Sequence, residues 1–259
     1  MPLSFKNQPS LVAYLTCGDP DLSTSRDVAL AAIAAGAEVI ELGVPFSDPV
    51  ADGPVIQRAS ERALRNGVSL EQVLKLAKEI RHQRDAGLII FSYLNPVLRM
   101  GLQKFVEAAA EAGVDGALIT DLPVEESDEY LRLMRKRSLA TIFLAAPTST
   151  DERLKRIADA STGFVYAIAR TGITGARKDL TEDAQKLVKR LRKFTNLPIA
   201  VGFGIASPEH FAAVGEFADA AVVGSAIVQT IEQNPGKEAQ AVAEWIKQVV
   251  GRRSSAVGP

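Results

Sequence analysis

Eight short apolar runs, spaced along the chain and separated by amphipathic helical patterns, constrain this sequence more than any other feature. They are "LVAYLT" (11–16), "VIELG" (39–43), "GLIIFSY" (87–93), "GALIT" (116–120), "ATIFLA" (140–145), "FVYAIA" (164–169), "PIAVGF" (198–203) and "AAVVG" (220–224). Each is apolar nearly throughout rather than alternating, and turn residues bound it, as expected of strands covered on both faces. Between them, "SLEQVLKLAKEIR" puts Leu70, Val73, Leu74, Ala77 and Ile80 on one helical face, with Ser69 and Gln72 at capping-box spacing. "SPEHFAAV" offers Ser207 as an N-cap and Pro208 as the first helical residue. "EESDEYLRLMRK", "DERLKRIADA" and "DAQKLVKRLRK" are amphipathic as well. Strands alternating with helices predict a parallel sheet.

An internal echo favours a closed barrel over an open, doubly wound sheet. "AAGAEVIEL" (34–42), "EAGVDGALITDL" (111–122) and "VGEFADAAVVG" (214–224) each run helix end, glycine, acidic residue, strand. The open sheet needs fewer strands, and no G-x-G-x-x-G opens a helix here. The predicted fold is α/β, a (β/α)8 TIM barrel, as a single domain over residues 1–259. Composition shows no linker, and the polar, small-residue-rich tail 251–259 is expected to be disordered.

Composition narrows the function. With 47% hydrophobic and 24% charged residues, the chain has the balance of a globular protein with a substantial core. A formal net charge of −1 gives no basis for nucleic acid or an anionic membrane as partner. Cys17 is the only cysteine, so neither an internal disulfide nor a cysteine metal cage is expected. His82 and His210 have no metal-site partners at useful spacing, and no strand carries a lysine for Schiff-base chemistry. The first residues lack a signal-peptide pattern and no run spans a bilayer, so a cytoplasmic protein is expected.

Four segments carry the chemistry. "ELGVPFSDPVADGP" (41–54) ends a buried-type strand on Glu41, then leads into a proline-stiffened loop bearing Asp48 and Asp52. Strand C-terminal ends form the active face of such barrels, although an acid there can also simply form an ion pair or a cap. "VGFGIASP" (201–208) and "VVGSAIV" (222–228) follow the seventh and eighth strands, where barrels bind phosphate on backbone N–H groups. "ARTGITGARKD" (169–179) suits a lid over a bound ligand.

Taken in order, "LTCGDP", "ELGVPFSDPVADGP", "TDLPVEES", "ARTGITGAR", "GFGIASP" and "VGSAIV" resemble the landmarks of the tryptophan synthase α-subunit family across almost the whole chain. The resemblance implies cleavage of indole-3-glycerol phosphate to indole and glyceraldehyde 3-phosphate, without a cofactor. It implies a β-subunit partner in an α2β2 heterotetramer. A free-standing lyase and a catalytically weak regulatory subunit are the alternatives. Carried over by motif, Glu41 and Asp52 are the catalytic acids and Tyr166 stands near Glu41. Tyr14 and Leu94 line the indole pocket. Gly204, Gly224 and Ser225 take the phosphate with Gly175, and Thr174 reaches Asp52 when the lid closes. Asp48 holds its own turn. Asp121 relays contact with the partner or stabilises a turn. One departure stands out. The first strand begins about ten residues in, where the family carries an extra helix beneath the barrel, so that end is expected to be open or plugged by side chains.

Overall fold

The computed structural model describes residue 3 and residues 5–168, 177–202 and 204–251. Its strands are β1 (Ser10–Thr16), β2 (Val39–Gly43), β3 (Gly87–Ser92), β4 (Gly116–Ile119), β5 (Ala140–Ala145), β6 (Val165–Ile168), β7 (Ile199–Gly202) and β8 (Ala220–Val223). Its helices are α1 (Leu22–Ala35), α2 (Pro54–Arg65), α3 (Leu70–Gln83), α4 (Leu94–Met100), α5 (Leu102–Glu111), α6 (Asp128–Lys136), α7 (Asp151–Ala160), α8 (Arg177–Leu191), α9 (Pro208–Gly215), α10 (Ser225–Gln233) and α11 (Glu238–Gly251). Each strand pairs in parallel with its neighbours in sequence, and β8 returns to β1, closing the barrel. The eight expected strands all form. The predicted tail starts one residue early, because Gly251 ends α11; residues 252–259 lie outside the described residues.

Local signals set several helix starts. The Ser69 N–H donates to Gln72 Oε1 at 2.8 Å ahead of α3. Ser207 Oγ accepts the His210 N–H at 3.3 Å, with Pro208 at the first position of α9. The repeated glycine–acid pattern has a physical reason too. Gly36 and Gly113 turn the chain at positive φ, +115° and +74°. The acid that follows then stitches the lower rim of the barrel. Asp115 Oδ2 accepts the Leu88 N–H at 2.8 Å and pairs with Arg81 at 2.5 Å. Asp219 Oδ2 accepts the Ile199 N–H at 2.7 Å and pairs with Arg192. Glu38 accepts from the Lys6 N–H and the Asn7 amide.

Side chains alternate along each strand, so one parity faces the helices and the other fills the barrel. The inward set includes Val12, Val39, Ile89, Leu118, Ile142, Phe164, Ala200 and Val222. The lower end is plugged by side chains from the N-terminal segment. Leu3 is buried and lies across Gly87 and Gly163, where an added methyl would stand 2.8 and 3.1 Å from its Cδ atoms. Phe5 meets the fully buried Phe164 edge-on, with ring centroids 5.7 Å apart. Phe164→Ala is therefore expected to cost about 3–5 kcal/mol of stability by opening a cavity in this plug. Urea unfolding checks the loss, and turnover measured well below the melting temperature should stay near the parent's.

Candidate active site

The inward parity that fills the barrel below builds a cavity at the upper mouth. Its wall includes Tyr14, Glu41, Asp52, Ile56, Phe91, Thr120, Leu144, Tyr166, Gly202, Gly204, Val222, Gly224 and Ser225. The register explains the company: Tyr14 pairs with Glu41 across β1–β2, and Glu41 with Ile89 across β2–β3. Partners in a parallel ladder share a face, so an inward Glu41 carries its neighbours inward with it.

Glu41 is fully buried, and neither carboxylate oxygen has a hydrogen-bond partner among the described residues. Burial disfavours its charged form and pushes its pKa up from 4.5 to about 8. Asp52 sits on the loop between β2 and α2. Burial raises its pKa from 3.8 to about 6, against the lowering effect of a hydrogen bond from Tyr93. That hydroxyl donates to Asp52 Oδ2 at 3.0 Å and accepts the Ala51 N–H at 3.0 Å. The Tyr93 ring lies against Phe46, with centroids 5.0 Å apart. Gln57, in the first turn of α2, donates to the Asp52 carbonyl at 2.9 Å. The prolines restrict the backbone of the loop, and these bonds tie it to Tyr93 and to the start of α2. Asp48 accepts from Ser47 at 2.6 Å, in keeping with a turn-holding role.

Two tyrosines flank the acids, and each occupies space that a strand glycine leaves open. An added methyl at Gly43 would stand 2.4 Å from the Tyr14 hydroxyl, and one at Gly202 would stand 2.5 Å from the Tyr166 hydroxyl. Burial, with the nearby acids, raises both phenols well above their ordinary value, so both stay protonated. Tyr14 packs edge-on to Phe91 at 5.1 Å and lies 3.4 Å, hydroxyl to hydroxyl, from Thr16. Opposite the apolar wall, Gly204 adopts φ +80°, a conformation that glycine accommodates. Gly224 leads directly into α10, which begins at Ser225.

Glu41, Asp52, Tyr166, Tyr14, Gly204, Gly224 and Ser225 thus share one cavity, as the sequence led one to expect. Leu94 does not join them. It is the first residue of α4, beyond the end of β3, and its N–H donates to Asp121 Oδ1 at 2.6 Å. Phe91, still on the strand ladder, takes the wall position instead. The bond to Leu94 also gives Asp121 a turn-stabilising task. Thr174, Gly175 and residues 169–176 of the predicted lid (169–179) lie outside the described residues. Sequence reasoning missed Phe91, Tyr93, Thr120 and Leu144. Counting outward in twos from Glu41's ladder partners would have found Phe91.

An acid able to hold its proton near neutrality, beside a second acid and a glycine turn at a helix start, equips this mouth for proton transfer on a phosphorylated substrate. The chain falls among the (β/α)8 barrel enzymes, with ionisable groups gathered at the C-terminal ends of the strands. It belongs to the tryptophan synthase alpha chain family, whose family model, described as "Tryptophan synthase alpha chain", matches residues 2–256. It is 52% identical to the tryptophan synthase alpha chain of Solibacter usitatus over 232 residues, 90% of this chain and 87% of that one. The alpha chain of Neisseria meningitidis serogroup B is 46% identical over 241 residues, 93% of this chain and 92% of that one. Among solved structures, tryptophan synthase subunit alpha from Legionella pneumophila superposes with a TM-score of 0.87 at 34% identity, covering 95% of this chain and 93% of that one. The tryptophan synthase complex of Pyrococcus furiosus gives 0.85 at 36% identity, covering 94% and 98%.

The raised pKa of Glu41 makes stability depend on pH in a definite direction. Between 4.5 and about 8 the folded chain keeps a proton that the unfolded chain releases. This contribution to stability is therefore full below pH 4.5 and declines as pH rises toward 8. Glutamine keeps the shape and cannot ionise. Glu41→Gln should thus gain stability over the parent on going from pH 5 to pH 8, by about 1 kcal/mol or more, as read by urea unfolding at both values. An equal difference at both would mean that burial has not raised the pKa.

Proposed function

We propose that Glu41 moves the protons and Asp52 supplies the counter-charge in the reaction of this family. The chain is a carbon–carbon lyase of tryptophan biosynthesis, acting on indole-3-glycerol phosphate to release indole and glyceraldehyde 3-phosphate. The reaction is a retro-aldol cleavage between indole C3 and the glycerol side chain. Indole leaves only after C3 has gained a proton, which gives an indolenine-like intermediate. The side-chain hydroxyl must then lose its proton as the carbon–carbon bond breaks.

One observation carries the assignment: a fully buried Glu41 carboxyl, without a hydrogen-bond partner among the described residues, facing the cavity that Asp52 also lines. Held protonated near neutrality, Glu41 gives its proton to C3 and, now a base, takes one from the hydroxyl. Asp52 accepts the indole N–H and balances the positive charge that spreads onto the ring. The apolar wall of Phe91, Leu144 and Ile56 suits the indole, and Tyr166 closes the wall beside Glu41. The phosphate meets the backbone at Gly204, Gly224 and Ser225, where a helix N-terminus favours an anion. Thr174 and Gly175 join them from the lid, an assignment that rests on the family's R-T-G-x-T-G pattern in "RTGITG".

We infer that the partner is the β subunit, docked on this same face in an α2β2 heterotetramer. Val50, on the Asp52 loop, is 86% exposed, and Leu98, on α4, is 57% exposed. They are large apolar side chains left open to water beside the mouth. The proposed compartment is the cytoplasm. Among the described residues no helix is long and apolar enough to cross a membrane.

The parent chain mixed with indole-3-glycerol phosphate should release both products, faster with a β subunit present. Glu41→Gln should lower kcat by about a thousandfold or more while glycerol 3-phosphate still binds in calorimetry. Parent-like turnover in that variant would exclude the mechanism. The profile of kcat/KM against pH should be a bell. Its acid limb lies near 6, where Asp52 ionises, and its basic limb near 8, where Glu41 loses its proton. Tyr93→Phe removes the donor that lowers the pKa of Asp52, so the acid limb should move to higher pH. A stationary acid limb would mean that another group sets it.

A further inference from the structure

Helix α2 starts two residues after Asp52, and α10 starts at Ser225 in the glycine turn. The relative placement of these helices therefore sets the distance between the acid and the phosphate end. Beneath the rim they meet through small apolar side chains. Ala59 and Val228, both fully buried, cluster with Tyr14, and Ile56 packs on. Such contact is non-directional and tolerates sliding and rotation.

At the rim the contact is directional. Arg62 forks onto Asp19, in the turn after β1, with Nε to Oδ1 at 2.7 Å and Nη2 to Oδ2 at 2.9 Å. Its remaining nitrogen, Nη1, reaches Glu232 Oε1 at 2.7 Å in the last turn of α10. Arg58, one turn earlier on α2, binds the same carboxylate with Nε to Oε1 at 3.1 Å and Nη2 to Oε2 at 2.8 Å. Asn66 adds a bond from α2 to the Pro20 carbonyl at 2.5 Å. Asp19 is only 3% exposed, so this is a desolvated, two-pronged pair rather than a solvated surface contact. The arginines hold Glu232 ionised, down to about 2, with Arg58 the larger influence. One guanidinium thus joins three elements of the upper rim: the β1 turn, the helix behind Asp52 and the helix of the phosphate turn.

We propose that Arg62, supported by Arg58, is a positioning residue that fixes Asp52 relative to the phosphate end by tying α2 to α10 through Glu232 and to the β1 turn through Asp19. The inference rests on the roles given above to Asp52 and to the Ser225 turn. The indole and phosphate ends of the substrate, joined by a short glycerol chain, meet groups positioned by two different helices, so an error in their spacing falls on the alignment needed for chemistry and spares the binding of either end alone.

Two variants test the tie while the buried Asp19 keeps a cation. Glu232→Met removes the α10 anchor and leaves Arg62 on Asp19. Arg62→Lys keeps the charge beside Asp19 but cannot fork to both carboxylates. Each should lower kcat by about tenfold, the scale of a sub-ångström misplacement. Glycerol 3-phosphate, which samples the phosphate end alone, should bind both with the parent's Kd. Crystals of parent and Glu232→Met, each with glycerol 3-phosphate, should show Asp52 displaced relative to the phosphate. Parent-like kcat with an unmoved Asp52 overturns the proposal. So does a loss of glycerol 3-phosphate affinity that matches the loss of kcat, or a drop in melting temperature that accounts for it. A parent chain that releases no indole would instead count against the functional reading. The displacement of Asp52 would still decide the tie.

Discussion

The two-residue period of the strand backbone governs most of what this molecule does. Once Glu41 points into the barrel, the parallel ladders leave no freedom over which neighbours point in with it. Tyr14 and Ile89 are its register partners, and two residues above Ile89 the same parity puts Phe91 on the cavity wall. A one-residue slip of β2 would move the acid among the helices and strand a carboxyl against apolar side chains. The pattern that packs the core therefore also selects the residues of the mouth.

This explains what the sequence made legible. All eight strands could be located, because strands covered on both faces must be apolar nearly throughout, and glycine, proline or acidic residues end them. Glu41 stood out as the one charge in such a run, and the glycine turns stood out by their order in the chain. Other parts left weaker traces. Helix α2 buries only Ala59, Ser60 and Ala63, so it shows no broad apolar stripe to read. Leu94 is placed in the indole pocket by the resemblance alone, with no signal of its own in the sequence. The strand ends at Ser92, and the chain has turned into α4 by the next leucine. Tyr93 is an ordinary core aromatic by type. Only the fold of the Asp52 loop brings the two together, across 41 positions of sequence. The ion pairs at the rim were equally silent, since Asp19, Arg62 and Glu232 lie far apart in the chain and charged residues are common on helix surfaces.

The upper mouth is held in an arrangement that a more stable protein would avoid. An isosteric amide at position 41 would remove an ionisable group from a site where the described residues give it no partner. Gly43 and Gly202 cost backbone entropy within their strands, and in return two phenols lie flat beside the acids. Stability comes from elsewhere: the apolar layers between sheet and helices, the acidic stitches under β3 and β7, and the plug below. Chemistry and cohesion occupy opposite ends of the same barrel.

The plug has a consequence for how the barrel is completed. Leu3 precedes β1 in the chain, yet its resting place lies against Gly87 and Gly163. Phe5 likewise meets Phe164. Neither surface is complete until the chain reaches Gly163 and Phe164, just ahead of β6. The segment before β1 can bind Glu38 once β2 is reached, but its apolar side chains find their full seat only with the residues that open β6. In this barrel the floor beneath the first strand is completed only by residues at the start of the sixth.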